Sequence, residues 1–479
     1  MPSIARVIRL APLYLLLLFT LIQGCSDERS RLQQIIDRGE LVVITRNSAT
    51  TYYEGVSGPK GMEYDLAKGF ADSLGVKIKL VVASSMAEAL TMISEDEADL
   101  VAAGVMVTDQ RKIWLNFTPP YQKVTQQLIY RQGKDIKRPK DISQLDGILQ
   151  VVDNSSHDKR LHELHSEYRD LTWSVTSELD SADLMGLVDS REIDYTITDS
   201  NTFLLNRHFH PELRVAFSLS TPKPLAWALP KFQDLSLYQA ASSYIDKMEK
   251  EGTLANLIDR YYGHTKDFDY VGTRSYMEHI KTRLPKYRHL FEYHSKEYGV
   301  DWRLLAAMAY QESHWNPRAV SPTGVKGIMM LTQDTAKYLG VKNRRDPVES
   351  IRGGASFFSR IWKKFPERID PVDRMWLTVA SYNIGHGHVE DTRIITEKRG
   401  GNADTWKDVR KNLPLLRKKR WYKTTKHGYA RGNEAVTYVE NIRSYYDILV
   451  WLTDKENKLK EGEQNAEQQL PNISIPAAL

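Results

Sequence analysis

A glutamate on the apolar stripe of a helix constrains this chain more than any other feature. Leu304, Met308 and Glu312 are spaced i, i+4, i+8, and Leu305 stands seven residues before Glu312, so the stripe that faces a core also carries an acid. A carboxylate there is costly unless it is protonated or paired, so the fold has to supply a partner or a dry pocket. Desolvation raises the pKa of such a group, which is what a general acid working near neutral pH requires. The plain alternative is a Glu satisfied by a buried partner. Downstream come Ser321-Pro322-Thr323-Gly324 and Gly327-Ile328-Met329-Met330-Leu331, a glycine-bearing turn where a polymeric substrate could lie against backbone.

At 479 residues the chain exceeds what one core supports and implies two or three domains. Its 41% hydrophobic and 27% charged residues are the balance of ordinary soluble globular domains. A formal net charge of +5 suits an acidic polymer or a membrane surface but does not select nucleic acid. Residues 1–24 read as a secretory signal peptide: Arg6 and Arg9 precede an apolar run, Leu10 to Ile22, too short for a stable span. Cys25, the one cysteine, follows Leu21-Ile22-Gln23-Gly24, which resembles a bacterial lipobox. On that resemblance Cys25 carries lipid, and Ser26 after it points to the outer membrane. An ordinary unpaired thiol is the alternative. A single cysteine excludes an intramolecular disulfide. No His/Cys cluster has metal-ligand spacing, and His386-Gly387-His388 reads as a turn, so neither metal nor cofactor is expected.

Hydrophobic period divides the rest of the chain. Residues 30–265 alternate between the two periods: a short helix near Arg31, a strand at 39–45, a helix at 64–74 that stops at Gly75, a strand at 76–81, a helix at 85–94 and a buried strand at 98–104. That order predicts an α/β domain with a mostly parallel sheet. Residues 264–285 form a polar join without strong periodicity. From 266 to 453 strand patterns are few, and Asp346-Pro347-x-Glu349 and Asp370-Pro371-x-Asp373 each combine an N-cap, an N1 proline and a capping acid, so this half reads as mainly α. Residues 454–479, rich in Glu, Gln, Lys and Asn, read as a disordered tail.

Glu312-Ser313, Gly327-Ile328-Met329-Met330-Leu331, Ala380-Ser381-Tyr382-Asn383 and Tyr438-Val439 with Ile442 occur in that order. The series resembles the motifs of the lysozyme-like lytic transglycosylases. Met330 stands where most of that family has Gln, and Ser381 follows Ala380 where many have Ala-Tyr-Asn. The first half resembles the periplasmic solute-binding proteins that capture amino acids, through Glu63-Tyr64-Asp65-Leu66-Ala67, Thr108-Asp109-Gln110-Arg111, Phe117-Thr118-Pro119-Pro120-Tyr121, Asp194–Asp199 and Glu251-Gly252-Thr253-Leu254. Together the resemblances imply a multidomain protein, an α/β two-lobed periplasmic-binding-protein-like domain (30–265) followed by a mainly α lysozyme-like domain (266–453).

Glycosidases usually pair two carboxylates. No second acid follows Glu312 at short range; Asp334, Asp346 and Glu349 read as helix caps or surface. A lytic transglycosylase needs only one. As the resemblance implies, Glu312 protonates the oxygen leaving with N-acetylglucosamine, then takes the proton of the muramyl C6 hydroxyl, and a 1,6-anhydromuramyl end forms by internal attack. On the same resemblance Ser321 orients the muramyl acetamido group, Gly327 through Leu331 let glycan approach backbone, and Tyr382 with Asn383 place an amide beside the acid. Tyr438 offers its hydroxyl to Glu312, with core packing as the alternative, and Met330 reads as a groove wall. Between Arg393 and Arg431 thirteen Lys or Arg stand against three acids, facing either stem-peptide carboxylates or solvent.

In the first half, the resemblance makes Thr108 and Arg111 a clamp for a ligand carboxylate and Asp199 the partner of its ammonium. Arg111 could equally serve a surface ion pair. The two lobes would close about a hinge near Arg131 and Pro222. The implied partners are peptidoglycan glycan strands, a muropeptide or amino-acid-like effector, and the outer membrane. The competing readings are a hydrolase like goose-type lysozyme, and a solute-binding receptor whose second half docks on the wall.

Overall fold

The computed structural model describes residues 29–469 apart from 56–57, 134–136, 232, 264–269 and 322–323. The signal segment and Cys25 lie outside the described residues. The first lobe is built on a five-stranded sheet in the order Lys77–Ala83, Glu40–Arg46, Leu100–Val101, Ala228–Pro230, Leu115–Phe117. Its first three strands are parallel, and Ala228–Pro230 joins antiparallel after a long excursion. Val43, Ile44, Leu100 and Val101 are wholly buried at its centre, as the unbroken apolar run at 41–44 requires. Helix Met62–Ser73 covers one face with Leu66 and Phe70.

The second lobe departs from the mostly parallel expectation. Its three-stranded sheet, Tyr195–Asp199, Gln126–Arg131 and Leu213–Ser218, is antiparallel throughout, beside a parallel pair Gln150–Val152 and Ser174–Thr176. The lobes are joined by an antiparallel pair, Gln122–Val124 with Lys223–Leu225. The crossing is therefore near Pro222 as expected, but on the outgoing side it precedes Arg131. That arginine ends a strand inside the second lobe, 3.5 Å from Asp189.

The second domain surrounds one buried helix, Trp302–Ser313, in which every residue from Leu304 to Tyr310 is at most 2% exposed. Helices Arg288–Tyr298 and Gly432–Gln469 pack directly on it, and Pro347–Trp362 and Pro371–Ile384 bridge those two. Asp346 and Asp370 cap their helices as expected, accepting from Glu349 N and Val372 N. Asp373 closes no capping box: it accepts from Trp406 N at 2.9 Å and faces Arg260. His386 begins helix His386–Lys398 directly after Gly385, so that segment is a helix start, not a free-standing turn.

Two segments are more ordered than their polarity implies. The join contains helix Tyr270–Thr282, held by Tyr276, which is wholly buried against Tyr310, Trp315 and Tyr445 and donates to Tyr445 O. Thr273, Met277 and Ile280 share its inward face, a helical spacing too short and too polar to stand out among the charged residues around it. The tail from Asp454 is not disordered at its start: helix Gly432–Gln469 continues through it. Asp454 meets Arg303 at 3.4 Å and Glu456 meets Arg288 at 3.0 Å. Glu, Lys and Gln are strong helix formers, and a helix already anchored by its apolar start carries such residues onward at little cost.

Candidate active site

Glu312 stands one residue before the end of the buried helix. The chain then turns sharply through His314 and Trp315, both left-handed at φ 51° and 56°. Such backbone is held only where the surroundings over-determine it. Here Trp315 does so: it is buried, and its indole Nε1 donates to Ala306 O at 2.8 Å. Ser313 Oγ donates to Ile328 O at 2.8 Å and so ties the end of the helix to the Gly327–Leu331 turn. That bond gives the Glu-Ser pair a structural reason that sequence reasoning did not supply.

Glu312 is only partly buried, yet its surroundings strip enough water to push its pKa up to about 7. Burial is the dominant cause, opposed by a hydrogen bond from Tyr438, whose hydroxyl donates to Glu312 Oε1 at 2.6 Å. Both readings of Tyr438 hold, because its ring is also packed in the domain core. Tyr382 lies near enough for the Glu312 charge to raise its own pKa, after burial, and its hydroxyl donates to Met329 O at 3.1 Å. The structure thus gathers Glu312, Tyr438, Tyr382 and the Met329-Met330 turn.

The other expected residues are placed differently. Ser321 Oγ accepts from Val325 N at 3.2 Å and helps close its turn. Met330 is half-buried at φ 46°. Gly327, at φ 90°, has its missing Cβ aimed at Arg344 O and Ser350 Oγ, so the glycine serves the protein's own packing before it serves any ligand. Asn383 is exposed, and the hydrogen bond of Glu312 goes to Tyr438. Asp346 is a cap, Glu349 accepts from Lys342 N and Asn343 N, and Asp334 is exposed in the first turn of helix Gln333–Tyr338.

A second concavity lies between the lobes of the first domain, lined by Arg46, Gly104 and Arg111 on one side and His157, Asp180 and Asp199 on the other. Arg111 is buried and its Nη1 donates to Met106 O at 2.9 Å. It belongs to the cleft, not to a surface ion pair. Thr108 caps helix Asp109–Lys112 and accepts from Arg111 N at 3.3 Å, so its hydroxyl shapes the turn that presents Arg111. Asp199 meets His157 Nε2 at 3.2 Å.

Residues 41–264 match the family model described as bacterial extracellular solute-binding proteins, family 3, and residues 289–405 match the transglycosylase SLT domain. Among similar proteins, the one named membrane-bound lytic murein transglycosylase F 1 of Alkalilimnicola ehrlichii is 48% identical over 93% of this chain and 90% of its own length. The chain belongs to the membrane-bound lytic murein transglycosylase F family. Relatives named membrane-bound lytic murein transglycosylase F in Saccharophagus degradans (46% identical, 91% of this chain, 86% of theirs) and Idiomarina loihiensis (45%, 92%, 97%) agree in extent. The two domains of the chain thus match separate family models. Glu312 falls inside the transglycosylase match, and Tyr438 beyond its end. Among the described residues no helix is long and apolar enough to cross a membrane.

Proposed function

We propose that the chain is a peptidoglycan lytic transglycosylase that cleaves the β-1,4 bond between N-acetylmuramic acid and N-acetylglucosamine and leaves 1,6-anhydromuramyl ends. The observation that carries this reading is Glu312 at the end of the buried helix inside the transglycosylase match, its carboxyl raised by burial to a pKa of about 7 and held by the Tyr438 hydroxyl. Burial lifts the Glu312 carboxyl toward neutrality, so the group can donate to the leaving oxygen and then accept the C6 hydroxyl proton. Tyr438 fixes the carboxyl rotamer between the two steps. The groove over Met330 and the turn from Ser321 would seat the muramyl residue, and its C6 hydroxyl replaces water as nucleophile. Mass spectrometry of digested sacculi tests the claim. Anhydromuramic ends are expected; reducing muramic ends would make the enzyme a hydrolase of the goose-lysozyme kind.

Removing the Tyr438 hydroxyl has a signed consequence. That hydrogen bond favours the carboxylate, so Tyr438→Phe raises the Glu312 pKa further. The fall of activity on the alkaline side should then move to higher pH. Turnover at the optimum should drop roughly tenfold, the worth of one hydrogen bond of about 1.4 kcal/mol. A pH profile of kcat in both forms reads this, and an alkaline limb that stays in place would remove Tyr438 from the proton cycle.

The relatives' names carry the words membrane-bound. We take Cys25 as the lipid attachment point and the periplasmic face of the outer membrane as the location. Cys25→Ala should release a soluble form and abolish labelling by a fatty-acid analogue. Unchanged membrane fractionation in that variant would point to peripheral attachment.

The N-terminal domain is read as a sensor for an amino-acid-like or muropeptide effector, and what supports this is its docking on the catalytic domain. Helix Thr253–Tyr262 of the first domain meets the second through Asp259 with Arg410 at 2.5 Å and Arg260 with Asp370 at 3.0 Å. Arg443 donates to Arg260 O at 2.8 Å. From the second lobe, Phe209 stacks on Trp451 with ring centroids 4.4 Å apart. Arg443, Trp451 and Tyr438 share one helix. Lobe closure on a ligand therefore bears on the element that holds Glu312, provided the ligand prefers one arrangement.

A further inference from the structure

We infer that Arg46 selects the effector by binding a second carboxylate on it, so that the ligand is an acidic α-amino acid or a short peptide that carries one. This rests on the reading of the N-terminal domain as an effector-binding module. The first-lobe wall of the cleft presents two guanidinium groups, Arg46 at the end of strand Glu40–Arg46 and Arg111 in helix Asp109–Lys112. Among the described residues neither forms an ion pair. Arg46 Nε makes one long bond to Ala103 O at 3.3 Å, and Arg111 Nε is buried with no partner among the described residues. The two cations are close enough that the Arg46 charge, after burial, lowers the Arg111 pKa.

The opposite wall presents Asp180, Asp199 and His157. Asp180 Oδ1 caps helix Ser181–Ser190, accepting from Ala182 N at 2.7 Å and Asp183 N at 2.8 Å, and its carboxylate charge, with those of Glu63 and Asp199, also faces Arg46. Asp199, which meets His157 Nε2 at 3.2 Å, is the acid the family resemblance assigns to a ligand ammonium. An α-amino acid with an uncharged side chain would satisfy Arg111 with its carboxylate and Asp199 with its ammonium. Arg46 would then be shut into a closing cleft with only the protein's own Asp180, Glu63 and Asp199 for counter-charge, none of them in ion-pair contact and Asp199 shared with the ligand ammonium, which is unfavourable for a buried cation. A ligand with a second carboxylate removes that penalty. A basic side chain would place like charge against Arg46 and be rejected, so the same residue discriminates in both directions. The guanidinium fork suits this task because it binds a carboxylate through two parallel N–H groups.

The test is calorimetric titration of the full chain with L-glutamate, L-alanine, L-lysine and the γ-linked form of an alanyl-glutamate dipeptide, in wild type, Arg46→Gln, Arg46→Lys and Arg111→Gln. Glutamate or the dipeptide should bind wild type at least about tenfold more tightly than alanine, with lysine weakest. Arg46→Gln should bring glutamate and alanine within about threefold of each other, Arg46→Lys should keep part of the preference, and Arg111→Gln should weaken both. If glutamate and alanine bind wild type alike and Arg111→Gln loses both, the role of Arg46 is overturned while the effector module stands. If no probe binds wild type, the effector reading itself fails and this inference with it.

Discussion

Glu312→Gln should keep the fold and glycan binding but lower turnover roughly 10²- to 10⁴-fold, the range that positioned proton transfer contributes. The substitution is nearly isosteric, and the amide oxygen can still accept the Tyr438 hydrogen bond seen at 2.6 Å, so the local packing has no reason to change. What is lost is the proton: an amide neither protonates the leaving oxygen nor deprotonates the C6 hydroxyl. The next acids in sequence are committed elsewhere: Asp346 caps its helix, and Glu349 accepts from Lys342 N and Asn343 N in the preceding loop. The measurement is release of anhydromuropeptides from sacculi, beside a sedimentation assay for glycan binding. Activity within about tenfold of wild type would sink the assignment of Glu312 as the acid–base.

Glu312 was legible because local sequence encodes it. Leu304, Leu305 and Met308 mark an apolar helix, which the structure buries on every face from 304 to 310, and burial raises the pKa of the acid near its end. The caps at Asp346 and Asp370 were legible for the same local reason. The α/β start of the first domain followed from the apolar run at 41–44 and the helix after it. What failed to show depends on contacts distant in sequence. The helix within residues 264–285 was missed because the face that holds it, Thr273, Tyr276, Met277 and Ile280, is short and mixed in polarity, and its partners are rings at 310, 315 and 445. The lobe crossing was misplaced toward Arg131 because an apolar strand reads alike whether it links lobes or lies within one.

The tail shows a different failure. A Glu-, Lys- and Gln-rich segment has no apolar face, so composition alone reads as unfolded, yet the preceding helix supplies the nucleus that such a segment lacks on its own. In the cleft, Arg111 and Asp199 were found through motif resemblance, whereas Arg46 was not singled out at all. An arginine at a strand end is common on any surface, and only the fold shows that this one faces Asp180 and Asp199 without an ion pair among the described residues.

Gly327→Ala should destabilise the catalytic domain by about 2–4 kcal/mol, whereas Gly324→Ala, three positions before it on the same turn-rich segment, should cost about 1 kcal/mol. Both glycines have left-handed backbone, φ 90° at Gly327 and φ 81° at Gly324, so both substitutions carry the strain of a side chain at positive φ. They differ in space. A Cβ at Gly324 meets nothing within 4 Å, while one at Gly327 runs into Arg344 O and Ser350 Oγ. A carbonyl of packed backbone does not yield as a flexible side-chain end would, so the turn itself has to shift. That turn accepts Ser313 Oγ at Ile328 O and Tyr382 at Met329 O, so its displacement reaches both supports of the Glu312 environment. Thermal unfolding of the two variants, followed by turnover well below each midpoint, separates the effects. Gly327→Ala should lose activity even where it remains folded, and Gly324→Ala should not. Equal stability loss in both would mean that the space beside Gly327 is open, and would return that glycine to the glycan-facing role its motif implies.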